Sequence, residues 1–262
     1  MPWGAKLAPG WRLRVERDGQ WIEPIATSHA ARHRHILYLH GGGFTTMSAR
    51  THRALTSRLA VWSGASLFAL DYRLAPEHRF PAALEDAVTA YHDVIAAGAA
   101  PSRTAVAGDS AGGGLALALL VALRDQAGEL PAAAVLFSPW TDLAGTSATL
   151  ASNDTADIMH FGSWVAQQGR HYLGDTPPTH PLASPVYADL SGLPPLLIQV
   201  GDSEVLLDDS RRVFANAEAA GVAASLRIWP RVAHGWQIFA PILPEARAAL
   251  REASAFLAAR LG

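Results

Sequence analysis

The 262 residues are 50% hydrophobic and 17% charged, carry a formal net charge of −2 and include no cysteine. A single α/β domain of this length is ordinary; near-neutral charge excludes a basic nucleic-acid footprint. The missing cysteines exclude disulfides, Fe–S clusters, thiolate zinc sites and a cysteine nucleophile.

Trp11-Arg-Leu-Arg-Val-Glu-Arg17 alternates apolar and charged residues, the pattern of an exposed antiparallel strand. The turn Asp18-Gly19 then leads to a second strand at Trp21-Ile22. Six further strands are predicted at Ile36–His40, Leu67–Asp71, Ala105–Gly108, Ala133–Phe137, Leu196–Val200 and Ser225–Trp229. Several are continuous apolar runs, as in parallel strands buried on both faces. Helical spacing appears over 82–97, 111–126 and 208–220, and from Pro244 to the end, where Ala246, Leu250, Ala253, Leu257 and Leu261 share a face. Strands alternating with helices predict a mainly parallel sheet, eight strands with the hairpin, with helices on both faces.

The stretch from Ser138 to Pro195 is too long for one crossover. It predicts a small helical insertion, roughly residues 140–194, with a helix over Thr155–Leu173. Such an insertion would lie over the carboxyl ends of the strands, where α/β proteins bind ligands. The chain is thus expected to be one domain over residues 1–262. The longest strongly apolar stretch, Ala111 to Leu123, is too short to span about 30 Å of hydrocarbon. Met1-Pro2-Trp3-Gly4 leads into no basic n-region and apolar core. A cytoplasmic protein without stable membrane insertion and without a nucleic-acid partner is expected.

Gly108-Asp109-Ser110-Ala111-Gly112 fits the G-x-S-x-G elbow, in which serine occupies a sharp strand-to-helix turn and side chains two residues away would collide. Its context agrees, with a strand before it and a buried helix after it. Gly201-Asp202-Ser203 repeats the triplet but places Val205 where the elbow needs glycine, so Ser203 is expected to be structural. His40-Gly41-Gly42-Gly43-Phe44 follows a strand. Three glycines let backbone N–H groups approach a developing oxyanion, and Gly42, Gly43 and Ala111 are the candidate donors. A phosphate loop would need G-x-G-x-x-G or a following Gly-Lys-Ser/Thr, and neither is present.

Of eleven histidines, His33 and His35 lie among arginines and are expected to be solvated. His52, His78 and His92 precede Ser110, the wrong side for the order serine, acid, histidine. His160, His171 and His180 fall in the insertion, and only His234 follows the last strand. It is the candidate general base. For the acid that orients it, Asp202 and Glu204 share one loop, while Asp208 and Asp209 suit the first turn of a helix. Local pattern does not choose between 202 and 204. Phe44, Trp140, Trp164 and Trp236 are candidates either to line an apolar pocket or to pack in the core.

Several segments together resemble the bacterial hormone-sensitive-lipase-like family of α/β-hydrolase carboxylesterases. They are His40–Phe44, Asp71–His78, Phe80–Asp86, Gly108–Gly112, Ser138–Leu143, Leu182–Pro185, the acid loop and His234-Gly235. The resemblance runs in family order over roughly residues 35–240. It implies the α/β-hydrolase fold and a serine carboxylesterase acting on short-chain acyl esters through an acyl-enzyme, with no metal or organic cofactor. Glu204-Val-Leu-Leu-Asp208 is similar to the family's Asp-Pro-Leu-x-Asp segment, which places the acid at Glu204 in place of the commoner aspartate. The implied triad is Ser110, His234 and Glu204, with Asp109 and the Asp71–His78 stretch as scaffold.

The family usually carries a helical cap before the first hairpin, whereas about ten residues precede Trp11 here. A more open site is expected, unless Trp3, Leu7 or a partner subunit fills the gap. Lactone, amide and drug-ester hydrolysis use the same triad and remain alternatives. Small-molecule receptors on this fold typically lack the histidine, so His234 speaks for an enzyme. The partner implied is a small ester, and pairing of two copies through an edge strand would suit the family.

Overall fold

The computed structural model describes residues 7–25, 33–159 and 162–262. The expected hairpin forms from β1 (Trp11–Glu16) and β2 (Gly19–Pro24), with Glu16 opposite Gly19. The connecting residues are therefore Arg17 and Asp18, one position earlier than the predicted turn. Next come β3 (His35–Leu39), α1 (Arg53–Ser63), β4 (Ser66–Leu70), α2 (Ala82–Ala96), β5 (Thr104–Asp109) and α3 (Ala111–Asp125). The chain continues through β6 (Ala133–Phe137), α4 (Thr149–Ser152), α5 (Gly162–Leu173), β7 (Leu196–Gly201), α6 (Leu207–Ala219), β8 (Ala224–Trp229) and α7 (Pro244–Arg260).

The eight strands form one sheet in the order β1-β2-β4-β3-β5-β6-β7-β8. Both pairings of β2 are antiparallel, and every pairing from β4 to β8 is parallel. Successive residues of β3 serve opposite faces, as strand geometry requires. Leu37 and Leu39 join α2, α3 and α6 in one apolar cluster, and Ile36 and Tyr38 join α1 and α7 in the other. Both faces are covered, which is why the central strands read as unbroken apolar runs.

Helix α1 was not expected from the pattern. Its apolar stripe is interrupted by buried Thr56 and Ser57, and no side chain caps its N-terminus. Both hydroxyls are satisfied inside the helix, Thr56 donating to His52 O (3.1 Å) and Ser57 to Arg53 O. Polar residues thus lie on a buried face at little cost, which the alternation of polar and apolar letters cannot show. The inserted helix α5 begins at Gly162, later than Thr155, and a short helix, α4, precedes it. His35 is not solvated: it opens β3, half-buried, with its ring edge-on to Trp21 at 6.3 Å. Burial, with some help from His33, lowers its proton affinity. His33 itself is exposed, as expected.

The expectation for Trp3 lies outside the described residues, as does that for His160. Leu7 packs against the α1 and α7 cluster. Among the described residues no helix is long and apolar enough to cross a membrane.

Candidate active site

Ser110 links β5 to α3 with its backbone at φ 54°, ψ −122°, a region that costs a non-glycine residue about 1–3 kcal/mol. The turn is this sharp because the adjoining backbones touch. A β-carbon at Gly108 would fall on Gly112 O, and one at Gly112 would fall on Leu39 O. Ser110 N–H donates to Phe137 O (2.8 Å), and Trp140 N–H donates to Ser110 O (2.9 Å). Strand β6 and its exit therefore brace the strained residue from both sides.

After β3 the chain turns at Gly42, whose φ of 116° suits glycine. Gly42 O accepts from the N–H groups of Thr45 (3.1 Å) and Thr46 (3.0 Å). Among the described residues, nothing accepts a hydrogen bond from the N–H of Gly42 or Gly43, although both residues are buried. The N–H of Ala111 belongs to the first turn of α3, where helix geometry supplies no partner. Buried unpaired N–H groups are rare because they are costly. Here the candidate donors, from two loops, are kept unsatisfied beside Ser110.

The root of this glycine loop is fixed from below. Asp109 Oδ1 accepts from Gly41 N–H (2.9 Å) and from Tyr38 OH (2.6 Å), and its Oδ2 faces His52 Nε2 at 3.2 Å. Tyr72 OH donates to His40 O (2.6 Å), and Ala49 N–H donates to Asp71 Oδ1 (2.6 Å). Asp109 and the Asp71 segment thus have the scaffold geometry anticipated for them. The tip of the loop meets the insertion. Thr45 Oγ1 donates to Gln168 Oε1 (2.7 Å), Phe44 stacks on Tyr172 at 3.7 Å, and a β-carbon on Gly43 would touch Trp164 and Gln168.

On the other side, His234 follows β8 and Glu204 follows β7. His234 Nδ1–H donates to Glu204 Oε2 at 2.6 Å. Glu204 is fully buried, and its Oε1 accepts from Ser138 Oγ (2.8 Å) and Gly201 N–H (2.6 Å). Asp202 instead accepts from Arg231 N–H (2.9 Å), so of the two carboxylates left open by the sequence it is Glu204 that reaches the imidazole. Burial opposes a charge on His234, but Glu204, aided by Asp157 and Asp109, outweighs it and raises the proton affinity. Ser110, Ser138, Glu204 and His234 come from the ends of four adjacent strands, β5 to β8.

The acid loop is tied to the insertion. Asn153 Nδ2 donates to Glu204 O (2.9 Å), Val205 N–H to Asp157 Oδ2 (3.0 Å), and Thr149 Oγ1 to Val205 O (2.8 Å). At the base of the insertion, buried Asp209 accepts from the N–H groups of Thr141 (2.7 Å) and Asp142 (2.9 Å) and from Ser147 Oγ. Burial nevertheless pushes its carboxyl up to about 6.

The sequence assigns no role to Ser138, Thr149, Asn153, Asp157 or Gln168 and sets His52 aside by chain order. Ser138 lies in one of the segments of family resemblance, and the other four lie in the expected insertion. Of the four aromatic candidates, Trp236 is fully buried in the α7-side cluster, 6.1 Å from Trp229, so it packs the core. Phe44, Trp140 and Trp164 lie on the α5 side.

The family model described as alpha/beta hydrolase fold matches residues 36–238. An acetyl-hydrolase of Streptomyces hygroscopicus is 46% identical over 93% of this chain and 80% of its own length. An esterase of Acinetobacter venetianus is 38% identical over 84% and 73%, respectively. A crystal structure of an esterase from the bacterial hormone-sensitive lipase family superposes with a TM-score of 0.93 at 46% identity, over 98% of this chain and 87% of that one. The chain belongs to the alpha/beta hydrolase family. Within it, the chain is a carboxylic-ester hydrolase of the bacterial hormone-sensitive-lipase-like group.

Proposed function

We propose that Ser110 is the nucleophile, His234 its general base and Glu204 the carboxylate that orients the base, in the hydrolysis of short-chain acyl esters. With Nδ1–H committed to Glu204, the neutral imidazole carries its lone pair on Nε2, which takes the Ser110 proton as Oγ attacks the ester carbonyl. The oxyanion is received by the N–H groups of Gly42, Gly43 and Ala111. His234 then protonates the leaving alcohol, and water repeats the sequence on the acyl-enzyme to release the acid.

The observation that carries this reading is the 2.6 Å bond between His234 and fully buried Glu204, on loops that follow β8 and β7 of the sheet whose β5 ends at the strained Ser110. The short-chain preference draws support from the wall of Trp164 and Gln168 against Gly43. It also draws on the acetyl-hydrolase relative and on a solved structure, EstE5 soaked with p-nitrophenyl butyrate (40% identical, TM-score 0.92, covering 98% of this chain and 87% of that one). The catalytic unit is a single domain whose insertion, roughly residues 140–194, roofs the site, and it works in the cytoplasm.

The test is release of p-nitrophenol from the acetate, butyrate and decanoate esters by the wild type and by Ser110→Ala. Loss of about 10⁴-fold or more in kcat is expected for the variant, with the two short esters preferred. Release that persists in Ser110→Ala would refute the nucleophile, and a preference for decanoate would refute the short-chain assignment.

A further inference from the structure

His52 precedes Ser110 in the chain, the wrong side for the base, yet it is fully buried. Both of its ring nitrogens face acceptors. Nε2 faces Asp109 Oδ2 at 3.2 Å, and Nδ1 faces Ser48 O at 3.1 Å and Thr51 Oγ1 at 3.0 Å. Ser48 O and Asp109 Oδ2 can only accept, and the one Thr51 hydroxyl proton has Ser48 O within reach at 2.7 Å. A neutral imidazole has one N–H and would leave one of these contacts without a proton. Asp109, in turn, already accepts from Tyr38 OH and Gly41 N–H, the environment of an ionised carboxylate.

We propose that His52 is an imidazolium that neutralises Asp109 beneath the glycine loop, and so acts as a positioning residue for the oxyanion-binding N–H groups. Asp109 directly precedes Ser110 and holds Gly41, the residue before the first candidate donor. An uncompensated buried carboxylate there would oppose negative charge growing on the ester oxygen. The other titratable groups around the ring are consistent with one cation at this place. His40 stacks 5.7 Å from His52; burial, then His52, lower its proton affinity to about 4, so it is neutral. Tyr38 lies 6.1 Å away, and burial followed by Asp109 keeps its phenol protonated. Asp71 adds a further negative charge from the segment after β4. For His52 itself burial is outweighed by Asp109 and Ser48 O, and for Asp109 by His52 and Tyr38.

This inference rests on the proposed roles of Ser110 and His234, and its test separates the two. His52→Gln keeps an N–H for Asp109 and removes the charge. Its kcat, counted per phosphonate-titrated Ser110, is expected to fall about tenfold to a hundredfold, less than or equal to loss of an oxyanion donor, with KM within about threefold. The acidic limb of its kcat/KM profile is expected to move to higher pH, because the unmasked Asp109 charge favours protonated His234. In His52→Gln/Asp109→Asn the site is neutral again, so kcat is expected to recover at least about tenfold and the limb to move back. Nitrogen-15 spectra of the histidine-labelled wild type supply the readout that does not depend on a variant folding. At a pH above the acidic limb, where His234 has lost its proton, they should still show one buried imidazole bearing both ring protons.

A wild-type spectrum without such an imidazolium would overturn the proposal. So would a His52→Gln kcat within about twofold of wild type, or a double variant no better than the single. Persistent activity in Ser110→Ala would instead defeat the triad reading, whatever the charge on His52.

Discussion

The two sides of the proposed site are held by different means. The oxyanion side consists of backbone N–H groups, and its root is fixed by neighbours within the sheet core: Asp109, His52, Tyr38 and Tyr72. The acid–base side consists of two side chains on separate loops. Glu204 is set by Ser138 and Gly201, and its loop is fastened by Thr149, Asn153 and Asp157 of the insertion. The oxyanion side is therefore part of the catalytic core, while the acid loop depends on residues that arrive from the roof. Backbone donors need only a rigid turn, whereas an imidazole and its carboxylate must be aligned across two strand ends.

The sharpest test of the acid–base side is Glu204→Gln against Asp202→Asn. The first should lower kcat by about 10³- to 10⁴-fold, since the orienting carboxylate is lost; the second should stay within about threefold, as the Asp202 carboxylate accepts from Arg231 N–H and not from the imidazole. Equal losses would erase the distinction drawn between the two carboxylates. On the oxyanion side, Gly42→Ala drives a β-carbon into Thr46 O at a positive φ, and kcat should fall about 10²- to 10³-fold with substrate KM little changed. Steady-state kinetics on p-nitrophenyl butyrate measures both.

Asn153→Ala removes the amide donor to Glu204 O and should lower kcat about tenfold, with a stability loss of about 1 kcal/mol in urea unfolding. If activity is untouched, the acid loop does not rely on the insertion. Gln168→Ala breaks the contact at the tip of the glycine loop. Its effect is expected in KM, by about two- to fivefold, because the loop root remains fixed.

A pH profile gives the mildest probe. The raised proton affinity of His234 places the acidic limb of kcat/KM above the ordinary histidine value of about 6.5. Activity should rise as pH passes upward through that limb and the base loses its proton. Glu204→Gln should shift the limb to lower pH, and a limb unmoved by that change would uncouple the two residues.

What the sequence made legible follows the same division. The oxyanion side is local: its glycines, elbow and flanking strands are contiguous letters whose spacing states their geometry. Ser110, Gly42, Gly43 and Ala111 were all visible in two short segments. The acid–base side is assembled from distant residues, so His234 emerged by position after the last strand, and Glu204 was separated from Asp202 only by family resemblance until the 2.6 Å contact. Asn153 and Asp157 were silent because an amide or carboxylate bonding a loop backbone leaves no periodicity. His52 was concealed for another reason. Chain order singles out His234 as the candidate base, but says nothing about a histidine proposed as a buried counter-charge. Helix α1 escaped because its buried hydroxyls are satisfied by its own carbonyls.

The fastening of the acid loop bears on how such enzymes can be recombined. Exchanging the 140–194 segment between relatives to alter substrate range would also exchange the clamps on Glu204. A transplanted roof lacking equivalents of Thr149, Asn153 and Asp157 is expected to alter turnover along with selectivity. A graft that retains those three residues changes the walls of the site while leaving its acid in register.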